Sequence, residues 1–168
     1  MHDELTQVDI DKMKEELTHR IQVLRPQLIE EVKVARSFGD LSENFEYKAA
    51  KREKNRNDSR IRYLENMIRT AKVIDPSAAG DGIALFDTVT FRAEDDDEEE
   101  TIQLVTTLRQ DALRGLISKE SPVGRALLGH RAGDRVRIDV REGVSYDVTI
   151  VKVEKSTGDP TDMPISPY

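Results

Sequence analysis

A short segment, Gly39-Asp40-Leu41-Ser42-Glu43-Asn44, has the residue types best suited to chemistry in this sequence. Asp40 and Glu43 stand three residues apart, and exposed carboxylates are ionised at pH 7. Their oxygens are hard donors that suit Mg²⁺. The same spacing is typical of a capping box, in which both side chains bind the first turn of a helix. The residue types alone favour the capping box, because two carboxylates hold Mg²⁺ poorly unless a partner supplies further ligands.

Basic residues dominate the segment that follows. Residues 45–72 contain nine basic and four acidic side chains, although the whole chain has a net charge of −7. The ordinary interpretation is a solvated helix face, and contact with RNA phosphates is the functional alternative. The candidate phosphate contacts are Lys48, Lys51, Arg52 and Arg56. Aromatic residues are sparse in this segment, so base stacking along it is not predicted.

Apolar residues between positions 8 and 37 recur with a helical period and predict one long amphipathic helix. Its stripe consists of Met13, Leu17, Ile21, Leu24, Leu28 and Val32. Thr6 or Asp9 is expected to cap its start, and Pro26 is expected to kink it because proline lacks a backbone N–H. A second helix is predicted from about Glu43 to Ala71. Two such helices joined by a tight turn must lie antiparallel, as a hairpin roughly 45 Å long.

The middle of the second helix lacks apolar side chains from Lys51 to Arg60. This stretch is expected to face the region around Pro26, so the seam between the helices should be weak there. A polar Asn55 or Asn57 at the seam would fix the register of the two helices. Local fraying without a function is the alternative, and the composition modestly favours it.

The chain divides into four predicted segments, which are a helical domain, a linker, a sheet domain and a flexible tail. Their bounds are residues 1–75, 76–83, 84–155 and 156–168. The linker is predicted because Asp75–Gly82 contains turn residues and helix-breaking residues. The tail contains three prolines and is expected to be loose.

Apolar and polar residues alternate in the sheet domain, notably at residues 136–140 and 144–150, and predict strands. Arg141-Glu142-Gly143 between them is typical of a hairpin turn. The acidic run Glu94–Glu100 is interpreted as a solvated loop between strands that discourages edge pairing. One short helix is predicted, and its N-cap, first residue and terminator are Ser121, Pro122 and Gly129. The fold class predicted for this domain is α+β with a mostly antiparallel sheet.

Composition excludes several classes of protein. The 168 residues contain no cysteine, which excludes disulfides, thiolate metal sites and cysteine nucleophiles. The three histidines are not spaced as metal ligands usually are, which argues against a zinc site. No apolar run approaches the roughly 20 residues needed to span a bilayer. No nucleophile constellation or glycine-rich phosphate loop is present, and the polar N-terminus is unlike a signal peptide. We therefore expect a soluble intracellular protein that is not an enzyme by itself.

Several segments in the same order resemble the GreA/GreB family of bacterial transcript cleavage factors over about residues 5–153. The matching segments are Gly39–Asn44, Glu46-Tyr47, Ala49-Ala50-Lys51, Val73-Ile74-Asp75-Pro76, Ser121-Pro122, Arg125–Gly129 and Gly133-Asp134. The resemblance implies an α+β protein with an N-terminal antiparallel α-helical coiled-coil hairpin. An FKBP-like domain with an antiparallel sheet and one short helix is implied to follow it.

The resemblance also implies a function that depends on bacterial RNA polymerase. In that family the FKBP-like domain docks at the rim of the polymerase secondary channel, and the hairpin reaches the active centre. Its tip carboxylates help hold the second Mg²⁺ and a water, so that the polymerase cleaves backtracked RNA near its 3′ end. On this sequence Asp40 and Glu43 are the implied catalytic residues and shared metal ligands. The implied tip-support residues are Leu41, Ser42 and Asn44, and the implied docking residues are Ser121, Pro122, Val123 and Arg125.

We expect a cytoplasmic protein, and a monomer because the hairpin buries its own apolar stripe. The resemblance implies that the protein contacts the 3′ end of nascent RNA and carries no metal when free. Phe45 departs from the family, because a small residue is common at this place in family tips, and this leaves a channel-binding inhibitor without cleavage activity as the alternative. Leu41 is closer to GreA, whereas the basic helix is closer to GreB, so the subtype stays open. A free-standing peptidyl-prolyl isomerase is a third hypothesis, which the scarcity of aromatic residues disfavours.

Overall fold

The computed structural model describes residues 3–39, 43–76 and 80–167. The chain forms two compact units. One unit is Ile10–Ala71, and the other combines Met1–Asp9 with Lys72–Tyr168. The division therefore falls within the first helix. No helix among the described residues combines the length and hydropathy that a membrane-spanning segment requires.

Three α-helices and one π-helical turn form the hairpin, and they confirm the two predicted helical segments to within two residues at each described end. Helix α1 is Gln7–His19, the π-helical turn is Arg20–Leu24, α2 is Arg25–Arg36 and α3 is Phe45–Thr70. The π-helical turn lies just before Pro26, where the chemistry of proline predicts an irregularity in the helix. Proline cannot donate the helical hydrogen bond, and its ring crowds the preceding turn, which a wider π turn relieves.

The predicted apolar stripe lies on the less exposed side of the first helical segment. Met13 is buried, and the remaining stripe residues are half-buried. On α3 the side chains of Ile61, Leu64 and Met67 are buried. Two helices alone cover only one side of each stripe, which accounts for the half-buried positions.

A polar seam, which we define as Glu16, Arg20, Asn57 and Arg60, joins the two arms of the hairpin. Asn57 is only 3% exposed, accepts a 2.9 Å hydrogen bond from Arg20 Nη1 and donates one of 3.3 Å to the Arg20 carbonyl. Arg60 donates to both carboxylate oxygens of Glu16, at 2.7 and 3.2 Å. Asn57 is thus the residue that the sequence predicted at the seam, whereas Asn55 is exposed. The stretch of α3 that lacks apolar side chains therefore contributes to a hydrogen-bonded polar network between the arms. This network contradicts the local fraying that the composition favoured.

The polar seam predicts a loss of hairpin stability in acid. Burial raises the pKa of Glu16, but hydrogen bonds from Arg60 and Arg20 outweigh burial and hold the pKa below its ordinary value. The carboxylate therefore stabilises the hairpin fully above the unfolded pKa of about 4.3, and this contribution is lost as the pH falls through the lowered folded value. Urea unfolding followed by circular dichroism at pH 7, 5, 4 and 3 measures this. The wild type is expected to lose more stability below pH 5 than Glu16→Gln does.

An exposed acidic residue of the same hairpin supplies the matched control. Glu53 pairs with Arg56 at 3.3 Å, and its side chain is 57% exposed. Because exposed pairs contribute little, Glu53→Gln should follow the wild-type pH curve. Parallel curves for the wild type and Glu16→Gln would show that the seam carboxylate has the same pKa in the folded and unfolded chain.

The described residues of the second unit form seven strands. Strands β1 (Glu4–Leu5) and β2 (Lys72–Val73) form a parallel pair. The others form a five-stranded sheet in the order β5-β4-β3-β7-β6, and their bounds are β3 Thr88–Ala93, β4 Glu99–Val105, β5 Leu116–Ser118, β6 Arg135–Arg141 and β7 Val144–Glu154. All neighbours in this sheet are antiparallel except β4 and β5, which are parallel. The sheet is therefore mostly antiparallel, as predicted, with one parallel pair at β4 and β5.

The parallel strand β5 results from the connection that precedes it. Two 3₁₀ turns, Thr107–Arg109 and Ala112–Arg114, lie between β4 and β5. Parallel neighbours need a crossover longer than a hairpin turn, and this connection supplies it. The sequence predicts no strand at Leu116–Ser118, since a strand of three residues is too short to show an alternating pattern.

One face of the sheet is closed by helix α4 (Pro122–Leu127), as predicted. Ser121 Oγ accepts a 3.0 Å hydrogen bond from Gly124 N, Pro122 occupies the first turn, and Gly129 follows with φ +83°. Leu127 is fully buried in the sheet core. The other members of this core are Ile83, Val89, Phe91, Ile102, Leu104, Val136, Ile138, Val148 and Ile150.

The two predicted turns of the sheet are confirmed. The acidic run lies in the β3–β4 connection and at the start of β4, and its residues are largely exposed. Arg141-Glu142-Gly143 joins β6 to β7, and Gly143 has φ +76°, a conformation that glycine adopts without steric cost. Both connections join antiparallel neighbouring strands, β3 with β4 and β6 with β7, which a short polar connection can link.

The proline-containing tail makes specific contacts within its unit. Ser156 N donates to Asp87 Oδ1 at 2.8 Å, and Ser166 N donates to the Leu108 carbonyl at 2.7 Å. Ser166 Oγ donates to the Gln110 carbonyl. Prolines predict an extended and loose segment, but they do not exclude hydrogen bonds from the residues between them.

A buried ion cluster, which we call the Arg109 cluster, includes part of this tail. Arg109 and Asp9 are both fully buried, with Nε and Oδ1 2.5 Å apart. Arg109 also pairs with Asp159 at 2.8 Å and donates to Thr6 Oγ1 and the Pro160 carbonyl at 3.1 and 2.8 Å. The cluster thus joins the start of α1, the connection after β4 and the tail. Nothing in the local sequence pattern predicted it.

Two further features belong to the Arg109 cluster. Thr6 N donates to Asp9 Oδ2, and Asp9 N donates to Thr6 Oγ1, so the two predicted candidates cap α1 together. Phe86 lies under the guanidinium, whose carbon is 4.9 Å from the ring centroid. Phe86 has φ +71°, which costs energy for a bulky residue and indicates that the surrounding contacts hold it there.

Candidate functional site

The end of the hairpin is organised by Asn44. Its Oδ1 accepts a 3.0 Å hydrogen bond from Tyr47 N and caps α3, and its Nδ2 donates at 2.7 Å to the carbonyl of Ala35 in α2. One side chain therefore fastens the end of one helix to the start of the next. Helix α3 begins at Phe45 with Asn44 as its N-cap. The predicted capping box also needs Asp40, which lies outside the described residues, so it stays untested.

Glu43 lies just outside the α3 cap and is exposed. Asp40, Leu41 and Ser42 fall outside the described residues, so their assigned roles stay predictions. Within the described ranges, no three histidine or acidic side chains cluster closely enough to hold a metal ion. An exposed carboxylate beside a fixed cap is suited to complete a metal site whose other ligands come from a partner.

Removing the amide of Asn44 is expected to loosen the hairpin end. The Asn44→Ala variant loses the α3 cap and the bond to Ala35, and caps of this kind contribute about 1 kcal/mol, with a range of about 0.5–2. We expect amide hydrogen exchange at Tyr47 to accelerate about fivefold or more, as measured by NMR. Asn44→Asp keeps the acceptor for Tyr47 N but loses the donor to Ala35, so it should protect Tyr47 better than alanine does. Equal protection of the Tyr47 amide in the wild type and both variants would contradict the proposed role of the Asn44 side chain.

The four basic candidates lie on one exposed face of α3. Lys48, Lys51, Arg52 and Arg56 are all exposed. Lys48, Arg52 and Arg56 are spaced four residues apart and Lys51 follows Lys48 by three, so they share one side of the helix. Arg56 pairs with Glu53 at 3.3 Å, whereas the first three lie nearer the hairpin end. Such a row suits the phosphates of an extended nucleic-acid strand.

Aromatic rings and cations are interleaved at the hairpin end, a feature that sequence analysis missed. The Arg36 guanidinium lies 5.4 Å from the centroid of the Tyr47 ring, and its Nη2 donates to the Tyr47 hydroxyl at 3.3 Å. Lys51 Nζ lies 5.9 Å from the centroid of the same ring. The hydrogen bond from Arg36 holds the pKa of Tyr47 below its usual value. Lys48 Nζ lies 5.7 Å from the Phe45 ring. Only the Arg36–Tyr47 pair joins the two arms, and spacing along α3 alone could not reveal it. The other two pairs are neighbours three and four residues apart on α3.

The predicted docking residues lie around the start of α4. Pro122 and Arg125 are exposed, whereas Val123 is half-buried and packs against the sheet core. The Ser121 hydroxyl caps the helix and donates to the Ser118 carbonyl at 2.7 Å. Pro122 and Arg125 therefore offer the accessible surface, and Ser121 and Val123 position it.

Family models match both units of the chain. A model described as transcription elongation factor, N-terminal, matches residues 4–73, and one described as transcription elongation factor, GreA/GreB, C-term, matches residues 78–155. The chain therefore belongs to the GreA/GreB family of transcription elongation factors.

Two GreA sequences agree with this assignment. The transcription elongation factor GreA of Streptococcus pneumoniae serotype 19F (strain G54) is 43% identical over 153 residues, covering 90% of this chain and 95% of that protein. GreA of Staphylococcus epidermidis (strain ATCC 12228 / FDA PCI 1200) is 41% identical over 150 residues, covering 89% and 95%. The crystal structure of GreA factor homolog 1 of Thermus thermophilus is 25% identical with a TM-score of 0.44, covering 92% of this chain and 100% of that one.

Proposed function

We propose that this protein stimulates the endonucleolytic cleavage of backtracked nascent RNA by bacterial RNA polymerase. The observation that carries the proposal is the hairpin end, where Asn44 fastens two long helices together directly beside the exposed Glu43. A carboxylate on such a support is placed for delivery to a site inside another protein. Membership of the GreA/GreB family supplies the class of partner.

The chemistry is that of a shared two-metal site. Asp40 and Glu43 would hold a second Mg²⁺ through their carboxylate oxygens and would orient a water, while the polymerase would supply the other ligands. An ion held there would supply charge stabilisation for in-line displacement at the RNA phosphate. The protein is thus a cofactor of RNA hydrolysis by the polymerase rather than an enzyme, and it carries no metal by itself.

The remaining parts of the protein bring the carboxylates of the hairpin end to the polymerase active site. Helix α3 contains 26 residues, which corresponds to a rod of about 39 Å, and such a rod suits a narrow passage like the polymerase secondary channel. The exposed basic face around Lys48, Lys51 and Arg52 holds the phosphates near the RNA 3′ end. Pro122 and Arg125 dock the second unit at the channel rim. We further propose that the protein acts as a monomer in the cytoplasm, where it meets the polymerase.

The test is RNA cleavage in a halted, backtracked elongation complex with end-labelled RNA and Mg²⁺. The expected result is a shortened RNA that the polymerase then extends, in a complex that also responds to a known cleavage factor. Inhibition of RNA synthesis without new cleavage products would overturn the proposal and select a channel-binding inhibitor.

A further inference from the structure

Two phenylalanines at the hairpin end are exposed to an extent that the fold does not explain. Phe45, the first residue of α3, is 79% exposed, and Phe38, two residues after α2, is 67% exposed. Burial of a phenylalanine side chain contributes about 1.5–3 kcal/mol, so exposing two of them leaves a large apolar surface available to a ligand.

The backbone brings these two residues to the same place. The Ala35 carbonyl accepts hydrogen bonds from Phe38 N at 3.2 Å and from Asn44 Nδ2 at 2.7 Å. Phe38 and Asn44 therefore meet at one oxygen, and Phe45 follows Asn44 directly. The two exposed rings belong to one end of the hairpin rather than to separate surfaces.

Cations surround this apolar surface. Lys48 Nζ lies 5.7 Å from the Phe45 ring, and Arg36 and Lys51 lie against the neighbouring Tyr47 ring. A purely apolar protein partner would strip water from these three charges without compensation. A ligand that combines flat aromatic groups with anionic ones matches both features, and single-stranded nucleic acid is such a ligand.

We propose that Phe45, assisted by Phe38, stacks on an unpaired base of the extruded RNA 3′ end, while Lys48 and Lys51 attract the adjacent phosphates. This inference rests on the proposed function and names the part of the substrate that the hairpin end recognises. It agrees with the expectation that bases do not stack along the basic helix, because it confines stacking to the hairpin end. Phe45 acts here in RNA binding and not as a catalytic residue.

The test compares two backtracked complexes that differ only in the extruded 3′ nucleotide, which is either a normal adenosine or an abasic residue. Binding is measured by displacement of fluorescently labelled wild-type protein, so the readout does not require cleavage. Stacking on one base is expected to make the wild type bind the adenosine complex about five- to thirtyfold more tightly. Phe45→Ala should lose this preference, and Phe45→Trp should retain it.

Matched variants separate stacking from other effects. Leu113 is fully exposed in the other unit, so Leu113→Ala should keep the preference for the base. Lys48→Gln should weaken binding to both complexes by a similar factor, because both retain their phosphates. Alanine favours helices, and circular dichroism will verify that Phe45→Ala leaves α3 intact.

The possible failures are distinguishable. Equal wild-type binding to both complexes would overturn stacking, and the proposed function would stand if the same protein still stimulates cleavage. A uniform loss of binding in Phe45→Ala, with the base preference unchanged, would also overturn stacking and assign Phe45 to the polymerase wall. A base preference without any cleavage would support stacking and contradict the proposed function.

Discussion

The Asp40→Asn/Glu43→Gln double variant is expected to stimulate RNA cleavage at least about a hundredfold less than the wild type, while its affinity for the polymerase changes by no more than a few-fold. The substitutions keep the size of both side chains but remove the negative charges that complete the shared metal site. Loss of one group that stabilises transition-state charge typically costs about 10²–10³ in rate. Cleavage rates at saturating protein and displacement binding assays give the two quantities.

A neighbouring carboxylate provides the control for this prediction. Glu46 is exposed in the first turn of α3, so Glu46→Gln removes a charge close to the site without removing a proposed ligand. It should retain most of the cleavage activity. Raising the Mg²⁺ concentration should partly restore the single variants, because a weakened ligand set is filled by more metal. Equal cleavage by the wild type and the double variant would remove both carboxylates from the mechanism.

Replacing Arg109 by methionine is expected to lower the free energy of unfolding by about 3–5 kcal/mol, the range typical when one member of a buried ion pair is removed. Asp9 and Asp159 would then remain in the interior without their cation, and Phe86 would lose the guanidinium above its ring. Chemical denaturation of the full-length protein measures the loss. The cleavage assay should show a functional protein at low temperature, because Arg109 belongs to no proposed binding surface.

Two further variants make this prediction specific. Arg131→Met removes an exposed arginine that lies 3.8 Å from Asp81, and it should change stability by less than about 1 kcal/mol. The double variant Arg109→Met/Asp9→Asn should be more stable than Arg109→Met alone, because the stranded charge is removed with its partner. A small loss in Arg109→Met would show that water reaches the cluster and solvates the remaining carboxylates.

Periodic features of the sequence predicted both arms of the hairpin and strands β6 and β7, but not the short strands β1, β2 and β5. The stripe from Met13 to Val32 predicted the first arm of the hairpin, and Pro26 predicted its irregularity. Ser121 and Pro122 predicted the start of α4 because a cap and the missing N–H of proline act within one turn. Such signals are local, so the surrounding fold does not overrule them.

Features that depend on distant residues were not accessible in this way. Arg109 and Asp9 are 100 residues apart, and neither stands in a pattern that reveals a partner. The direction of β5 depends on the path of the preceding connection rather than on its own residues. Near the candidate site, Asp40 and Asn44 are both good capping residues, and the contact of Asn44 with Ala35 on the other arm favours Asn44 as the cap.

The polar seam fixes the register of the two arms and therefore the length of the hairpin. Apolar stripes that recur every three or four residues pack almost as well after one arm slides along the other by a turn, which would displace the hairpin end by about 5.4 Å. After such a slip Asn57 would leave Arg20, and Arg60 would leave Glu16, so buried polar groups would lack partners at a cost of about 1–3 kcal/mol each. Mg²⁺ accepts oxygen ligands only near 2.0–2.1 Å, so a carboxylate delivered one turn short is no ligand. Polar contacts in the middle of the rod thus determine how far the acidic end extends.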